Sequence, residues 1–390
     1  MTIPRRLRVM TVLGTRPEIV RLSRVMAAFD DEFDHVLVHT GQNADPQLSD
    51  VFFTDLALRP PDRYLGVDTS TLGRSLGGIL IGVESALDEY EPDVMMVLGD
   101  TNSSLSALMA KRRHVPVYHM EAGNRSFDAN VPEEVNRHVV DHIADFNLVY
   151  TEHARRNLLA EGLHPRTVAL SGSPMAEVLH HYRDGIEKSR VLDQLELTPG
   201  GYLVVSAHRQ ENVDDPSRLR QFVRILEALH GHYGIPLVLS THPRTRARLE
   251  EHDVGQLPGT IAHAPFGFLD YVQLQQNARC VLSDSGTISE ESSILGFPAV
   301  TLRNAIERPE ALEAGSIIST DLEPDVVVSA VDMAVRQCSD GRRPTIPPGY
   351  EILNCSVRVV HFIRSTAHVA HEWSGVRSSR DAEEEFLESR

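Results

Sequence analysis

The feature that most constrains this fold is the regular alternation of short apolar runs with longer amphipathic stretches. The short runs have the length and composition of buried parallel strands, and the longer ones repeat apolar residues with helical periodicity. Helices are predicted at Ile19–Phe29, Leu72–Tyr90 and Glu133–Ala144. The strands predicted in this first series are Leu7–Leu13, His35–His39, Val94–Leu98, Val115–Met120, Phe146–Tyr150 and Val168–Leu170.

The alternation begins again after Pro199-Gly200-Gly201 and predicts a second set of strands. Strands joined through helices by right-handed crossovers form doubly wound sheets, and 390 residues exceed one typical domain. We therefore expect an α/β protein with two Rossmann-like doubly wound domains, at residues 1–172 and 173–355. The second set of strands is Tyr202–Ser206, Leu237–Ser240, Ile261–His263, Cys280–Ser283, Ala299–Leu302 and Ile317–Ser319.

The C-terminal part of the chain follows a different pattern. Residues 356–372 look helical and come after the second sheet, so this helix is expected to pack back on the first domain. The stretch 374–390 is rich in Ser, Arg, Asp and Glu and has little to bury. It is predicted to be a disordered tail.

Charge and composition exclude several classes of protein. The formal net charge of −17 disfavours binding to nucleic acid or to an anionic membrane. No apolar run approaches the roughly 18 residues of a membrane span, and the apolar stretch near the start is interpreted as a buried strand rather than a signal peptide. The three widely spaced cysteines indicate neither a disulfide framework nor a zinc site. These features fit a cytoplasmic enzyme.

Polar motifs follow the predicted strands of the second domain, where doubly wound sheets bind their ligands. Ser285, Gly286 and Thr287 open a helix and expose N–H groups that suit a pyrophosphate, and Glu291, one turn on, suits ribose hydroxyls. A capped helix with a solvated Glu pair is the alternative.

Basic residues also stand at strand ends. His208 and Arg209 follow the first strand of the second domain and could donate to phosphate oxygens, although a lone His is more often structural. In the first domain, Gly14-Thr15-Arg16-Pro17-Glu18 places Arg16 near a helix N-terminus, where anions gather. An ordinary turn with a surface Arg is the competing interpretation.

Three acids stand at strand ends or a helix start of the first domain: Asp100, Glu121 and Glu133. Taken singly, each is explained as a helix cap or as a partner of the helix dipole. Gathered together, carboxylates raise one another's pKa values, so that one holds a proton while another accepts one. This arrangement suits general acid/base work on a weakly acidic C–H bond.

Metal and nucleophile chemistry have weaker support. His138 and His142 are four residues apart on one predicted helix, a possible ligand pair in a chain with 19 histidines. There is no His-Glu-x-x-His motif, no cysteine cluster and no Gly-x-Ser-x-Gly elbow. A His-rich surface is the favoured interpretation, and no metal site is predicted.

Together, the motifs resemble the non-hydrolysing UDP-N-acetylglucosamine 2-epimerase family. Eight segments match in order from residue 14 to residue 310: Gly14-Thr15-Arg16-Pro17-Glu18, Thr40-Gly41-Gln42, Gly99-Asp100-Thr101, Glu121-Ala122-Gly123, Pro132-Glu133-Glu134-x-Asn136-Arg137, His208-Arg209-x-Glu211, Asp284-Ser285-Gly286 and Glu307-Arg308-Pro309-Glu310. Each segment is weak alone, and the ordered series is a strong signal.

The resemblance implies two domains of the glycosyltransferase-B type with the active site between them, a homodimer, and no organic or metal cofactor. It implies loss of the C2 proton with departure of UDP to give a 2-acetamidoglucal, followed by reprotonation on the opposite face and return of UDP. The catalytic residues it implies are Asp100, Glu121, Glu133 and His208. The substrate and UDP contacts it implies are Arg16, Gln42, Arg209, Tyr271, Ser285, Gly286, Thr287, Glu291 and Arg308.

The chain departs from the family pattern at two positions. Arg21 stands where the family often has Lys, and Asn43 follows Gln42 where His is common, in a loop that helps many bacterial members bind a second, activating UDP-N-acetylglucosamine. The segments 120–128 and 206–212 look like a related branch that forms UDP-N-acetyl-L-fucosamine from its talose isomer. A 2-epimerase of such a 6-deoxy sugar is therefore one alternative; a glycosyltransferase of the same fold and a non-catalytic sugar-nucleotide sensor are the others.

Overall fold

The computed structural model describes residues 5–42, 46–207, 214–241, 243–251, 257, 259–303 and 307–376. Its contacts divide the chain into two compact units, one formed by 1–178 with 352–390 and the other by 179–351. The sequence placed the divisions at 172/173 and 355/356. The first unit thus includes the start of the helix Met175–His181 and the turn before the C-terminal helix.

The first unit is built on a seven-stranded, all-parallel sheet with the strand order β3-β2-β1-β4-β5-β6-β7. Chain order reverses between β1 and β4, which makes this the switch point of a doubly wound sheet. The strands are β1 (Arg8–Leu13), β2 (Asp34–His39), β3 (Arg63–Tyr64), β4 (Val94–Leu98), β5 (Val117–Met120), β6 (Phe146–Val149) and β7 (Val168–Leu170).

Helices link these strands and cover both faces of the sheet. Residues such as Met10, Val12, Ile79 and Val97 are fully buried in one core cluster between sheet and helices. The helices up to the division are α1 (Arg16–Glu32), α2 (Pro46–Asp55), α3 (Leu72–Tyr90), α4 (Ala107–Arg112), α5 (Pro132–Ile143), α6 (Glu152–Ala160) and α7 (Met175–His181). Short 3-10 turns occupy Asn102–Ser106 and Pro165–Thr167.

The second unit repeats the plan with a six-stranded parallel sheet ordered β10-β9-β8-β11-β12-β13. Its switch point lies between β8 and β11. The strands are β8 (Leu203–Ser206), β9 (Leu237–Ser240), β10 (Thr260–His263), β11 (Cys280–Ser283), β12 (Ala299–Leu302) and β13 (Ile318–Thr320). The helices are α8 (Arg183–Glu187), α9 (Val191–Gln194), α10 (Pro216–Tyr233), α11 (Pro243–Glu251), α12 (Phe268–Asn277), α13 (Ile288–Leu295), α14 (Pro309–Glu313) and α15 (Pro324–Ser339).

The last helices that the structure describes belong to the first unit. They are α16 (Cys355–Thr366), a 3-10 turn at Ala367–Val369, and α17 (Ala370–Trp373). Helix α16 packs on α1. The Tyr118 hydroxyl lies 2.8 Å from Thr366 Oγ1, and the rings of Phe146 and Phe362 meet edge to face at 5.5 Å. Ser374, in the predicted tail, donates to Asp145; residues 377–390 lie outside the described residues.

The α/β class with two parallel sheets is confirmed, and the predicted strands match those observed to within about two residues. The two-residue strand β3 was missed, because Arg63–Tyr64 is too short and too polar to carry a strand pattern. Among the described residues, no helix combines the length and apolar character needed to cross a bilayer.

Candidate active site

The first switch point is closely packed. A Cβ atom on Gly14, which follows β1, would lie 2.0 Å from Thr40 Oγ1 and 2.3 Å from Ser103 Oγ, so only glycine fits there. Gln42 joins the same contact, because its Oε1 accepts hydrogen bonds from the Ser103 backbone N–H at 3.1 Å and hydroxyl at 3.0 Å. The loops after β1, β2 and β4 are thus held against one another.

Glu18 is the buried carboxylate of this region, with 1% exposure. It accepts from the backbone N–H groups of Gly14 (3.0 Å) and Thr15 (2.8 Å) and from the hydroxyls of Thr15 (2.7 Å) and Thr101 (3.0 Å). Burial raises the pKa of Glu18 to about 7, although these hydrogen bonds oppose the shift. The Thr15–Glu18 spacing is that of a capping box, which was the available sequence signal for this residue.

Asp100 follows β4 and forms an ion pair with Arg137 of α5. Arg137 is buried and also donates to Glu134 at 2.5 Å, so one guanidinium links two carboxylates. Asn136 fixes the backbone beside them by donating to the Asp100 carbonyl at 2.9 Å. Asp100 therefore lies beyond the carboxyl end of the central strand β4, and a buried cation orients its carboxylate.

Glu121 stands at the end of the neighbouring strand β5 in a left-handed backbone conformation with φ +64°. Such a conformation costs a non-glycine residue on the order of 1–3 kcal/mol, and strain of this kind concentrates at functional positions. Its carboxylate lies 3.4 Å from Arg21 Nη1, and the Arg21 guanidinium lies 5.7 Å from the ring centroid of Tyr150. Asp100 and Glu121 thus share an architecture in which a strand-end carboxylate meets a buried arginine.

Glu133 and Glu134 have opposite surroundings on α5. Glu133 is exposed in the first turn, whereas Glu134 is buried and accepts from Ser126 and Phe127 as well as Arg137. The structure therefore brings Glu134, rather than the predicted Glu133, into the network that contains Asp100. Two adjacent acids in a first turn gave no sequence signal for which of them points inward.

Arg16 begins α1 and is mostly buried, with its guanidinium 5.8 Å from the ring centroid of Phe52. Burial lowers its pKa, and a guanidinium nevertheless keeps its charge at neutral pH. Arg16 opens the helix after β1, and Gln42 lies in the loop after β2. Arg21, buried and ion-paired to Glu121, was singled out by sequence only as a departure from Lys.

The second unit has a narrow cavity at the end of β11 and the start of α13, lined by Ser285, Gly286, Arg303 and Arg308 among others. Its polar wall holds two guanidiniums, each fixed by a glutamate: Arg303 donates to Glu307 at 2.8 Å, and Arg308 pairs with Glu290 at 2.7 Å. A Cβ on Gly286 would lie 3.7 Å both from the Arg303 guanidinium and from the Glu307 carboxylate. Gly286 thus lies in the cavity wall beside two ion-paired guanidiniums.

The other predicted contacts of the second unit lie on the elements around this cavity. Ser285 lines the cavity, and its hydroxyl is 3.0 Å from that of Thr287, the N-cap of α13. Glu291 is buried and accepts from Gln275 at 2.7 Å. Tyr271 lies on α12, and burial raises the pKa of its hydroxyl, which keeps it neutral. His208 and Arg209 lie outside the described residues.

Two doubly wound units, one with carboxylates and one with an arginine-lined cavity at its strand ends, define the class: α/β enzymes of the glycosyltransferase-B fold that act on nucleotide sugars. The sequence model of the UDP-N-acetylglucosamine 2-epimerase family matches residues 27–364. The chain therefore belongs to the UDP-N-acetylglucosamine 2-epimerase family, which confirms the resemblance drawn from the motifs.

Known relatives and structures agree with this assignment. A UDP-N-acetylglucosamine 2-epimerase of Methanocaldococcus jannaschii is 34% identical over 342 residues, 85% of this chain and 93% of the relative. A UDP-2,3-diacetamido-2,3-dideoxy-D-glucuronate 2-epimerase of Pseudomonas aeruginosa is 32% identical over 330 residues, 83% and 91% of the two chains.

Among solved structures, the Rickettsia bellii UDP-N-acetylglucosamine 2-epimerase matches with a TM-score of 0.87 and 41% identity, covering 94% of this chain and 98% of that one. The Methanocaldococcus jannaschii enzyme in complex with UDP-GlcNAc and UDP matches with a TM-score of 0.86 and 32% identity, covering 92% and 100%.

Proposed function

We propose that this chain interconverts UDP-N-acetylglucosamine and UDP-N-acetylmannosamine by a non-hydrolysing inversion at carbon 2. The observation that carries the proposal is the pair Asp100 and Glu121, which end neighbouring strands and each meet a buried arginine. Acid/base groups placed this way can serve opposite proton transfers at one carbon.

The proposed reaction is an elimination followed by an addition. One carboxylate takes the C2 proton, the C2–H electrons form the C1–C2 double bond, and the C1–oxygen bond breaks with its electrons leaving on UDP. A protonated acid then returns a proton to the other face of C2 as a UDP oxygen re-adds to C1. No electrons are gained or lost overall, and we propose that no cofactor takes part.

The charge that develops on the leaving diphosphate needs stabilisation. We assign that task to Arg308 and to the start of α13, including Ser285, Gly286 and Thr287. Glu291 is proposed to bind the ribose and Tyr271 to lie near the uracil. Arg16, Gln42, His208 and Arg209 are proposed as further substrate contacts, His208 with a catalytic part, and Glu133 as the third catalytic acid.

The identity of the sugar is the finer part of the proposal. UDP-GlcNAc is favoured because the structure from Methanocaldococcus jannaschii was solved with UDP-GlcNAc and UDP. The second candidate substrate is UDP-2,3-diacetamido-2,3-dideoxy-D-glucuronate, because a relative of nearly equal similarity is named for it. Both candidates have an acetamido group and a C–H bond at carbon 2, so the same acids serve either one.

The deciding experiment incubates the chain with each nucleotide sugar in D2O and follows the products by proton NMR. We expect deuterium at C2 and a mixture of the two C2 epimers with UDP-GlcNAc. Hydrolysis to free UDP and sugar would contradict the non-hydrolysing route. Turnover of the diacetamido-glucuronate alone would replace the proposed substrate and keep the chemistry.

The assigned acids are tested in the same assay. The variants Asp100→Asn and Glu121→Gln are each expected to bind UDP and to lose turnover by about 10²-fold or more, because a general acid or base usually accelerates a reaction by at least this factor. Glu152→Gln is the matched control, because Glu152 opens the helix after β6 and is exposed. Near-normal turnover in both site variants would rule out these roles.

Two further features of the proposal concern the whole protein. We propose a homodimer, because α3, α4 and α5, which pack side by side, expose the apolar residues Ile81, Leu108, Val135 and Val139. We also propose that the protein acts in the cytoplasm, where its three free cysteines would stay reduced.

A further inference from the structure

A cluster of potential metal ligands lies on the exposed side of α5, apart from Asp100 and Glu121. It consists of His138, His142 and Glu161, and the ligand atoms of these three side chains all lie within 4.8 Å of one another. His142 Nε2 is 2.9 Å from Glu161 Oε2, and His138 Nδ1 is 3.8 Å from the same oxygen. Within the described residues, this is the one group found with such a geometry.

The distances are close to those of an occupied site. Zinc–ligand bonds of 2.0–2.2 Å in a tetrahedron place neighbouring ligand atoms about 3.3 Å apart. Two histidines at i and i+4 share one helix face, as in known zinc helices. Both imidazoles are close to half exposed, 46% for His138 and 44% for His142, so small ring rotations bring the nitrogens into position.

Glu161 is already oriented by the protein. Arg125, whose side chain is fully buried, donates to both Glu161 oxygens at 2.7 Å and to Asp141 at 2.7 Å. A buried guanidinium that is paired with two carboxylates therefore holds Glu161 in place from behind. Ligating carboxylates in metal sites are held by hydrogen bonds in this way.

His138 also has a partner behind it. Its second ring nitrogen, Nε2, lies 3.6 Å from Glu134 Oε1. A carboxylate on the far nitrogen of a ligating histidine fixes the tautomer and makes the near nitrogen a better donor to a metal. His138 Nδ1 thus faces Glu161, while Nε2 faces a buried acid.

The local charge balance favours a divalent cation. Two sets of ion pairs lie near the cluster: Arg125 pairs with Asp141 and Glu161, and Arg137 pairs with Asp100 and Glu134. Four negative charges against two positive charges leave two in excess when the imidazoles are neutral. An ion of charge +2 at this cluster would compensate that excess.

We propose that His138, His142 and Glu161 bind one divalent transition-metal ion of the zinc class, with water as the fourth ligand. Two imidazoles and a carboxylate are a ligand set typical of Zn²⁺ with one open position. The site stands apart from the proposed epimerase chemistry, so its existence does not depend on that function. Glu134 and Arg137 connect it to Asp100, which gives the ion a route to influence the acid.

The test is a calorimetric titration of Zn²⁺ into the full chain after chelator treatment and dialysis at neutral pH. We expect one equivalent bound per chain, and at least a tenfold loss of affinity in the double variant His138→Ala/His142→Ala. His232→Ala is the matched control, because His232 is equally exposed and paired with Asp332 at 3.2 Å. It should bind zinc as the unmodified chain does.

A second readout uses Co²⁺, whose visible absorption reports low-coordinate nitrogen and oxygen ligation. The absorption band is expected in the unmodified chain and the control and is expected to vanish in the double variant. The exposed ligands can be removed without unfolding, which circular dichroism checks. The proposal would be overturned if the unmodified chain failed to bind one equivalent of zinc, or if the double variant bound zinc as the unmodified chain does. Either result would count whatever the outcome of the epimerase assay.

Discussion

At the residue scale, the two carboxylates at the first switch point, Glu18 and Asp100, have different hydrogen-bond partners. Asp100 forms an ion pair with the Arg137 guanidinium, whereas Glu18 accepts only from backbone N–H groups and hydroxyls and has a pKa raised to about 7. Water is excluded from Glu18, so its ionisation is costly. This difference yields a prediction about pH that concerns Glu18 alone.

The folded-state pKa of Glu18 lies above its ordinary 4.5, so the native chain binds this proton more tightly than the unfolded chain. The contribution to stability is fully present below about pH 4.5 and is lost as pH rises through about 7. A difference of about 2.5 pKa units corresponds to about 3 kcal/mol. Glu18→Gln, which stays neutral, should therefore gain about that much stability relative to the unmodified chain across this window.

Urea unfolding midpoints measured from pH 5 to pH 8 check this expectation. The curves of the Glu18→Gln variant and the unmodified chain should separate as pH rises and run parallel above pH 7. Glu152→Gln, an exposed carboxylate, serves as the control and should follow the unmodified chain. Parallel curves for Glu18→Gln across the whole range would refute the buried-carboxylate assignment.

At the scale of elements, the C-terminal helix α16 completes the first unit. It packs on α1 and brings Phe362 against Tyr118 and Phe146 of the sheet at 6.2 and 5.5 Å between ring centroids. The single tryptophan, Trp373, follows it, and its ring is tilted by 57° against that of Phe146 at 6.0 Å between centroids. Trp373 fluorescence is therefore a probe of this unit.

Phe362→Ala should destabilise the first unit by about 2–3 kcal/mol, less than a fully buried Phe because Phe362 is partly exposed. The midpoint of the Trp373 fluorescence transition in urea should fall accordingly. Val357→Ala, at an exposed position of the same helix, should stay within about 0.5 kcal/mol of the unmodified chain. Equal midpoints for the two variants would show that Phe362 contributes no core packing.

Elements were predictable where periodicity was strong. The apolar runs Val94–Leu98 and Cys280–Ser283 were predicted to the residue, since a buried strand must be apolar on both faces of a covered sheet. The inward direction of Glu134 on α5 was not predictable, because it depends on Arg137 and on the loop at Ser126 rather than on helix periodicity.

At the scale of the whole molecule, the proposed homodimer gives the last prediction. Light scattering should give twice the chain mass at micromolar concentration. Ile81→Lys, at a residue 71% exposed on α3, should shift the mass towards that of the monomer, because it places a charge in an apolar contact. Leu353→Lys, 58% exposed at a site before α16, should leave the mass unchanged. A monomeric unmodified chain would contradict the dimer.

The sequence by itself determined the class of fold, the polar motifs that follow the strands, and the family. Apolar periodicity and strand-end motifs are local properties of the chain. Only the tertiary structure decided the pairing of Asp100 with Arg137, of Glu121 with Arg21, and of Arg308 with Glu290. The two members of each pair are far apart in sequence, and the sequence does not distinguish the paired acid from neighbouring acids. The order of the strands in the sheet brings the partners together. The protonation of Glu18 likewise depends on burial, which no local pattern encodes.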